Sequence, residues 1–200
     1  MKPFVIAITG GSGSGKTTLA NLLQERIGPE RVTLFPLDRY YKDLSHLKME
    51  ERETANFDHP NAVDLDLFKQ HLKLLIEGKS VEAPIYSFVT HTRTGTEIIK
   101  PNSIIITEGL FVLYDEELRS LMNIKIFIDT PSDIRLIRRI QRDVVERGDD
   151  VETVMRRWIQ YVRMGYEKYV EPTKRFADII VEGYPKMPID ELFREIKKFI

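Results

Sequence analysis

The 200-residue sequence contains no cysteine, and this absence removes several kinds of site at once. Without a thiol the chain can form no disulfide, no cysteine-ligated zinc site and no thiol nucleophile. A reducing compartment suits such a chain, so we expect a cytoplasmic protein. Histidine is also scarce, and His46, His59 and His71 have no metal-ligand spacing.

An excess of charge of one sign and a long apolar run are absent as well. The sequence has 30 basic and 31 acidic side chains, which gives a formal net charge of −1. This balance gives no general electrostatic reason to expect a nucleic-acid or an anionic-membrane partner. No apolar run approaches the ~18 residues of a membrane span, and no signal peptide is visible. What the sequence does have is 42% hydrophobic residues, enough for one domain with a full-sized core.

A glycine-rich stretch lies between the apolar run 4–8 and a helical pattern. It reads Gly-Gly-Ser-Gly-Ser-Gly-Lys-Thr-Thr and has the spacing G-x-x-x-x-G-K-[ST]. Glycines and small serines let successive backbone N–H groups turn inward around a phosphate at a helix N-terminus. Lys16 would then reach the β- and γ-phosphates, and Thr17 would offer its hydroxyl to Mg²⁺. The residues that we expect to hold a nucleoside triphosphate are Gly10, Gly11, Ser12, Gly13, Ser14, Gly15, Lys16, Thr17 and Thr18.

Apolar strands alternate with helical patterns along most of the chain. Strands this uniformly apolar indicate a parallel sheet that helices cover on both faces. The same setting, a buried strand before the glycine-rich stretch and a helix after it, favours a phosphate loop over a turn without a ligand. We therefore expect an α/β protein of the P-loop NTPase fold, with a five-stranded parallel sheet flanked by helices. The predicted strands are 4–8, 31–37, 103–108, 124–129 and 177–181, and the predicted later helices are 64–76, 115–122, 132–147, 151–169 and 189–200.

Three segments extend this predicted core within a single domain, 1–200. Residues of about 80–100 indicate a small inserted β-lobe with a polar turn around Thr94 and Gly95. Its strands are predicted at 81–89 and 97–100. Residues 42–62 form a long irregular loop, which is more often functional or mobile than structural. Residues of about 132–150 indicate an arginine-rich lid.

The helix predicted at 132–147 mixes apolar and basic positions, and we expect its apolar side to face inward and its arginines outward. The apolar positions are Ile134, Ile137, Ile140 and Val144, and the basic ones are Arg135, Arg138, Arg139 and Arg142, followed by Arg147. The arginines could close over a polyphosphate and neutralise charge that shifts to the leaving group. Part of the set could equally be a solvated charge face, because some of these arginines have acids four residues away. These pairs are Arg139 with Asp143 and Arg142 with Glu146.

Two carboxylates follow predicted strands of the sheet. Asp38 stands just past the second strand, and Glu108 ends the third. Because ligands of open α/β sheets lie outside the carboxyl ends of the strands, both could face the γ-phosphate. We assign Asp38 as the general base for an attacking hydroxyl and, with Glu108 and Thr17, to the binding of Mg²⁺. The alternatives are a capping or turn aspartate at 38 and a solvent-facing strand end at 108.

Asp58, Tyr86, Phe88 and His91 form a looser set in the long loop and the β-lobe. Aromatic walls with a few hydrogen-bonding groups are what a planar base and its ribose need. Taken one at a time, each of these residues could instead serve packing or lie at the surface. His91 by itself is typical of an exposed loop histidine.

With these residues together, the sequence resembles the uridine-cytidine kinase family of nucleoside kinases. The resemblance extends over nearly the whole length. The phosphate loop is common to many NTPases, whereas Phe-Asp-His-Pro at 57–60 and Tyr-x-Phe-x-x-His at 86–91 are much more specific. The further matching segments are 37–41, 84–93, 106–109, 127–130 and 138–148.

The resemblance implies that the γ-phosphoryl group of ATP, or sometimes GTP, is transferred with Mg²⁺ to uridine or cytidine in pyrimidine salvage. It implies that Asp38 is the base for the 5′-hydroxyl and that Asp58 holds the ribose hydroxyls. The catalytic residues by resemblance are Asp38, Lys16, Arg142 and Arg147. The substrate-binding residues by resemblance are Tyr41, Phe57, Asp58, Tyr86, Phe88, His91 and Arg139. The resemblance also implies a homotetramer that pyrimidine triphosphates restrain.

The sequence departs from the family pattern at Arg39, Asp149 and Arg157, which bears on the nucleoside that is preferred. A related kinase of ribulose phosphate or pantothenate is the nearest alternative. A phosphorylated acceptor, however, should require more basic residues than 56–60 and 86–91 supply. A GTP-dependent switch protein is a second alternative, but the sequence lacks an Asn-Lys-x-Asp segment. A catalytically inactive nucleotide-binding subunit is a third alternative, but the retained lysine and carboxylates argue against it.

Overall fold

A computed structural model of the chain describes residues 2–199 as seven strands and eight α-helices joined by shorter turns. The strands are β1 Phe4–Gly10, β2 Val32–Leu34, β3 Val81–Ser87, β4 Thr92–Ile99, β5 Ile104–Glu108, β6 Ile124–Asp129 and β7 Ile179–Glu182. The helices are α1 Lys16–Ile27, α2 Met49–Glu53, α3 Leu65–Ile76, α4 Glu116–Ser120, α5 Ser132–Arg147, α6 Val151–Arg157, α7 Arg163–Gly165 and α8 Ile189–Ile196. Two π-helical turns, Trp158–Val162 and Tyr166–Val170, continue the helical path from α6 through α7.

The main sheet has the predicted architecture. Within residues 2–199, five parallel strands lie in the order β2-β5-β1-β6-β7, which confirms the five-stranded parallel sheet. The register pairs Ile8 with Glu108 and Gly10 with Ile128. The glycine-rich loop therefore leaves β1 at the edge of the sheet where β5 presents its terminal carboxylate.

The strands are apolar along their whole length because both faces of the sheet are covered. Val5 and Ala7 belong to the core on one side, and Ile6 and Ile8 belong to the core on the other. Side chains of α1 and α8 fill one side, and those of α3 and α4 fill the other. A strand with this double burial shows no polar alternation, as the sequence pattern indicated.

The β-lobe is a separate antiparallel hairpin of β3 and β4. The turn predicted at Thr94 and Gly95 is wrong, because β4 already begins at Thr92 and Gly95 pairs with Ile85 inside the hairpin. Residues 88–91 make the turn instead, and His91 lies there at φ 54°, in the left-handed region. The small residues at 94–95 suggested a turn, whereas the chain turns where a bulkier residue accepts positive φ.

Helix α5 faces inward with the side opposite to the one that was predicted. Its buried residues are Arg135, Arg139 and Asp143, whereas Ile137 and Val144 are exposed. The predicted inward apolar face is therefore wrong. The reason is that α5 forms the wall of a polar cleft, in which charged side chains find partners, instead of packing on the sheet. Helix α6 and the π-helical turn after it follow the predicted apolar pattern only in part, since Val154, Trp158 and Val162 are buried but Val151, Met155 and Ile159 are exposed.

Some boundaries also differ from the predictions. Strand β2 ends at Leu34, and a 3-10 turn follows two residues later at Leu37–Tyr40. The long loop 42–62 contains α2 and the 3-10 turn Pro60–Ala62. The last helix ends at Ile196 instead of residue 200, which lies outside the described residues. Among residues 2–199, no helix combines the length and the apolar character that crossing a bilayer requires.

Candidate active site

The glycine-rich loop has the backbone of a phosphate cradle. Gly10, Gly13 and Gly15 have φ values of 148°, 78° and 102°, which residues with a Cβ rarely adopt. A Cβ on Gly13 would also collide with the backbone carbonyl of Arg135. The Ser14 hydroxyl is buried and has no hydrogen-bond partner within the described part of the chain. This cradle at the N-terminus of α1 fits a polyphosphate, as the sequence pattern predicted.

Lys16 lies between the loop and two carboxylates. Its ammonium group donates to the carbonyl oxygen of Gly11 at 3.1 Å. Burial lowers the pKa of Lys16, while the charges of Glu108 and Asp38 act in the opposite direction. The predicted catalytic lysine and both predicted carboxylates therefore lie in one electrostatic environment.

Glu108 and Thr17 are in direct contact. The Thr17 hydroxyl donates to Glu108 Oε1 at 2.9 Å. Burial at the end of β5, together with the negative charge of Asp38, raises the pKa of Glu108 to about 7. Mg²⁺ is typically held by one or two carboxylates together with substrate phosphates, and this set of oxygen ligands fits that arrangement. No cluster of three or more histidine, aspartate or glutamate side chains suited to a metal occurs in residues 2–199.

One cavity joins the loop to the hairpin and α5. The predicted site residues that line it are Ser12, Lys16, Asp38, Tyr41, Phe57, Asp58, Phe88, His91, Arg139, Arg142 and Arg147. Thr17, Tyr86 and Glu108 line an adjoining cavity, which shares several residues with the first. Residues that are more than one hundred positions apart in the chain thus meet around one space.

Arg139 connects the phosphate loop to Asp58. Its Nη1 donates to Ser12 Oγ at 3.1 Å and lies 3.5 Å from Asp58 Oδ1, and its Nε lies 3.1 Å from Asp143 Oδ2. Burial opposes the charge of the guanidinium, but Asp58 and Asp143 outweigh it and raise the pKa of Arg139. The pair of Arg139 with Asp143 is buried, so the solvated charge face is wrong for this pair.

Asp143 neutralises the arginines of α5. Its side chain is 2% exposed, and it also accepts hydrogen bonds from Arg142 at 2.8 Å and lies 3.4 Å from Arg147. Burial favours the neutral carboxyl, but the three guanidinium groups outweigh burial and lower the pKa of Asp143. A buried carboxylate therefore keeps these cations close together on one wall of the cavity.

Aromatic rings form the end of the cavity near the hairpin. Tyr41 packs against the rings of Phe57, Tyr86 and Phe88 at centroid distances of 5.8, 5.3 and 5.8 Å. Phe57 stacks on His91 at 4.5 Å. His91 is buried, so its interpretation as an exposed loop histidine is wrong. Burial, with a contribution from the charge of Arg157, lowers the pKa of His91 to about 4, so the imidazole is neutral near pH 7.

Several residues that shape this site were missed from the sequence. Asp143 was named only as a possible surface partner of Arg139, although its position four residues from both Arg139 and Arg147 on a helix also indicated a shared partner for the two arginines. Gly165 had no local signal, yet a Cβ there would lie 3.0 Å from Asp58 Cβ and collide with the Asp58 carbonyl oxygen. Close packing of distant elements requires this glycine, and only the tertiary structure reveals it.

Arg93 was also missed as an anchor of the hairpin. Its Nε donates to the carbonyl oxygen of Tyr41 at 3.0 Å, and its Nη2 donates to that of Tyr40 at 3.3 Å. It also lies 3.4 Å from Asp64 Oδ2. These contacts attach β4 to the turn that carries Asp38.

Comparison with known proteins finds relatives that match nearly the whole chain. A protein named uridine kinase from Chloroflexus aurantiacus is 47% identical over 188 residues, which are 94% of this chain and 90% of that protein. A uridine kinase from Clostridium tetani is 45% identical over 202 residues, covering 100% of this chain and 97% of the relative. One from Cronobacter sakazakii is 46% identical over 202 residues, covering 98% and 95%.

Solved structures share the fold at much lower identity. Phosphoribulokinase from Rhodobacter spheroides aligns with a TM-score of 0.66 and 18% identity over 90% of this chain and 70% of that one. D-glycerate 3-kinase from Cryptococcus neoformans aligns with a TM-score of 0.67 and 17% identity over 94% and 88%. The family model described as Phosphoribulokinase / Uridine kinase family matches residues 5–190. With its phosphate loop, its paired carboxylates and its near full-length relatives, the chain belongs to the Phosphoribulokinase / Uridine kinase family.

Proposed function

We propose that this protein transfers the γ-phosphoryl group of ATP to the 5′-hydroxyl of uridine or cytidine and releases the nucleoside monophosphate and ADP. The observation that carries the proposal is the cavity in which Lys16 and Ser12 of the phosphate loop, Asp38, and the aromatic end with His91 line one space. A donor phosphate and a planar acceptor can therefore meet at the carboxylate. The near full-length relatives named uridine kinase support the same acceptor.

Asp38 is the general base in this proposal. Its carboxylate accepts the proton of the 5′-hydroxyl as the bond from O5′ to the γ-phosphorus forms and the bond from that phosphorus to the leaving oxygen of ADP breaks. Lys16 and the arginines of α5 compensate the negative charge that accumulates on the leaving oxygen. The negative charge of Asp38 acts to raise the pKa of Lys16, and this interaction supports these roles.

The metal-side residues are Thr17, Glu108 and Asp38. They would hold Mg²⁺, which when bound neutralises charge on the phosphates of the donor. The hydrogen bond from Thr17 to Glu108 keeps the two oxygen ligands next to each other. The negative charge of Asp38 contributes to the raised pKa of Glu108, which supports placing both carboxylates beside one cation.

The acceptor is held by groups at the other end of the cavity. Asp58, fixed beside Arg139, binds the ribose hydroxyls, while Tyr86 and His91 contact the pyrimidine. The rings of Tyr41, Phe57 and Phe88 wall the pocket. A neutral imidazole can both donate and accept a hydrogen bond, so His91 suits either pyrimidine.

Residues of about 132–150 act as the lid and about 80–100 as the nucleoside-binding lobe of a single kinase domain. Arg142 and Arg147 of the lid approach the phosphates and the 5′ end of the acceptor. The lid also excludes water, which would otherwise compete with the nucleoside for the phosphoryl group.

The proposal extends to location and assembly. We propose that the enzyme serves pyrimidine salvage in the cytoplasm, where a cysteine-free chain is compatible with a reducing environment. We also propose a homotetramer. Exposed apolar side chains on α5 and α6, among them Val145 and Met155, support an interface between copies.

The first test is ADP production from Mg-ATP with uridine, cytidine, adenosine, ribulose 5-phosphate, pantothenate or no acceptor. GTP replaces ATP in a parallel series, and mass spectrometry identifies the product. We expect strong stimulation by a pyrimidine nucleoside and formation of its 5′-monophosphate. Stimulation only by ribulose 5-phosphate or pantothenate, or by no acceptor at all, contradicts the proposal.

A further inference from the structure

Arg135, in the first turn of α5, packs against the phosphate loop and has no role in the chemistry described above. A Cβ on Gly11 would collide with Arg135 Nη1 and would lie 2.8 Å from its Cζ. A Cβ on Gly13 would collide with the backbone carbonyl oxygen of the same arginine. Arg135 therefore touches two glycines of the loop, one through its guanidinium and one through its backbone.

The side chain of Arg135 is buried and fixed in this position. It is only 4% exposed, and its Nε donates to the carbonyl oxygen of Thr130 at 3.0 Å. Its Cζ lies 3.9 Å from the ring centroid of Tyr166 and 5.4 Å from that of Trp158. These two rings belong to the two π-helical turns. The contacts on three sides hold the guanidinium beside Gly11.

Arg135 differs from the other buried or half-buried arginines of α5 in having no carboxylate partner. Arg139, Arg142 and Arg147 share Asp143. Within residues 2–199, by contrast, Arg135 forms no ion pair, and its buried Nη1 has no hydrogen-bond partner. An unsatisfied donor on a buried charged group is unfavourable, so this atom calls for an explanation.

The acidic groups near Arg135 do not neutralise it. Burial lowers the pKa of this guanidinium, and Tyr166, Glu171 and Asp129 only partly oppose this effect. Both carboxylates already pair with Lys174, Asp129 at 2.6 Å and Glu171 at 3.9 Å. Because an arginine side chain stays protonated in proteins, an uncompensated positive charge is buried against the phosphate loop.

The charge of Arg135 reaches the expected position of the donor phosphates. Burial lowers the pKa of Lys16, and the positive charge of Arg135 acts in the same direction. The two cations therefore repel each other across the loop. An anion held by the loop is attracted by both of them, and little water lies between these buried groups to weaken the attraction.

We propose that Arg135 is a positioning residue whose positive charge supports the phosphate loop through Gly11 and strengthens the binding of the donor triphosphate. The inference rests on the donor half of the proposed function. Arg142 and Arg147 line the cavity and can reach the phosphates directly, whereas Arg135 acts through the loop. Burying its charge is unfavourable by itself, and the negative charge of the triphosphate offsets this cost.

The test measures the Kd of Mg-ATP by calorimetry, without an acceptor, for the parent, Arg135→Met and Arg135→Lys. Methionine fills much of the space without the charge, and lysine keeps the charge without the planar guanidinium. We expect Kd to rise about 10- to 100-fold in Arg135→Met and to stay within about threefold of the parent in Arg135→Lys. An unchanged Kd in Arg135→Met, or equal losses in both variants, overturns the proposal.

The acceptor side separates this role from general damage to the fold. KM for the nucleoside at saturating Mg-ATP should stay near the parent value in Arg135→Met, and a rise equal to that of the Kd of Mg-ATP overturns the proposal. Arg31→Met is the matched control, because Arg31 is exposed just before β2, at the amino end of the sheet, and both values should equal those of the parent.

Arg135→Lys decides the matter if Arg135→Met does not fold. A Kd of Mg-ATP near the parent value then supports the proposal, and a rise of more than about tenfold overturns it. A parent protein that binds no Mg-ATP contradicts the proposed function itself. A parent that binds Mg-ATP, with Arg135→Met unchanged, overturns only the role of Arg135.

Discussion

His91 occupies a backbone conformation that few residues other than glycine, asparagine, aspartate and histidine adopt. Its φ of 54° is tolerated because the stack on Phe57 and the hairpin around it hold the residue in position. The result is an imidazole that is buried and neutral at one end of the cavity. At the scale of single residues, the site is built from groups whose surroundings differ strongly from bulk water.

The pKa of His91 predicts how stability depends on pH. In the unfolded chain this imidazole takes up a proton near pH 6.5, but in the folded chain it does so only near pH 4. As pH falls from 6.5 to 4, the unfolded chain binds a proton at this imidazole that the folded chain does not bind. The free energy of unfolding therefore decreases by up to about 3 kcal/mol. We expect His91→Asn, which keeps a residue that tolerates positive φ, to lose less stability over this range in denaturant titrations.

The control for this experiment is His46→Asn, since His46 is exposed. Its free energy of unfolding should follow the parent at every pH. Equal slopes for the parent and His91→Asn between pH 6.5 and 4 would contradict the low pKa of the buried imidazole.

Asp38→Ala tests the general base. We expect kcat to fall by about 10²- to 10⁴-fold, because proton transfer to a positioned base contributes that much, while ATP still binds. Turnover with each nucleoside and ATP affinity by calorimetry are the measurements. Asp66→Ala removes an exposed carboxylate from α3 and should leave both unchanged. A loss of less than about tenfold, or weak ATP binding by a folded variant, is incompatible with the role.

At the scale of secondary-structure elements, α5 differs most from an ordinary surface helix. Its inner face has Arg135, Arg139 and Asp143, and its outer face has exposed apolar residues. Arg135 packs over the ring of Tyr166 at 3.9 Å, and its backbone carbonyl approaches Gly13 of the phosphate loop. The helix thus packs through charge and aromatic contacts, which couples the predicted lid directly to the loop.

Asp143→Asn tests the buried charge cluster of α5. Removing the carboxylate leaves three arginines without their shared partner, and breaking a buried pair in this way costs roughly 3–5 kcal/mol. Denaturant titration should show this loss of unfolding free energy. Glu146→Gln changes an exposed acid on the same helix and should be neutral within about 0.5 kcal/mol. An unchanged free energy of unfolding in Asp143→Asn would mean that the arginines do not depend on this carboxylate.

Gly165→Ala tests the close approach of α7 to Asp58. A Cβ at this position would collide with the backbone of Asp58, so the residue that we assign to the ribose must shift. We expect KM for the nucleoside to rise about 10-fold or more, while KM for ATP stays unchanged, because small misplacements of positioning groups are costly. Gly95→Ala is the control, since nothing lies within 4 Å of a Cβ there. Equal effects on both KM values would point to general unfolding instead.

At the scale of the whole molecule, several large apolar side chains are exposed on the helices. Val145 is 83% exposed and Ile159 is 73% exposed. On α5, Ile137 and Val144 are seven residues apart and share one side of the helix. Exposed apolar side chains that share a helix face are typical of a protein–protein contact, and they support the proposed homotetramer.

Val145→Glu tests this assembly. A charge at the proposed interface should lower the molar mass measured by light scattering after gel filtration, from a tetramer to a smaller species. Ile98→Glu makes the same change at an exposed position on the hairpin and should leave the mass unchanged. A parent that is already monomeric, or a tetramer that tolerates Val145→Glu, contradicts an interface at this surface.

The sequence was sufficient where a local pattern has a strict physical meaning. Apolar strands without alternation required a sheet that is covered on both sides, and the glycines of 10–15 provided the positive φ that a phosphate cradle needs. Asp38 and Glu108 were located because the ends of parallel strands share one edge of the sheet. The position predicted for the hairpin turn was wrong because the small residues at 94–95 favour a turn more strongly than His91 does, although histidine also accepts positive φ.

What the sequence by itself determined was therefore the parallel core and the identity of the loop, since both follow from periodicity and backbone sterics. Only the tertiary structure decided which side of α5 faces inward, because apolar side chains are normally buried and the pairing of Arg139 with Asp143 reversed that rule. It also decided that Arg157 meets Asp149 beside His91 and that Gly165 must remain small next to Asp58. These features depend on contacts between distant segments, and no local pattern in the chain encodes such contacts.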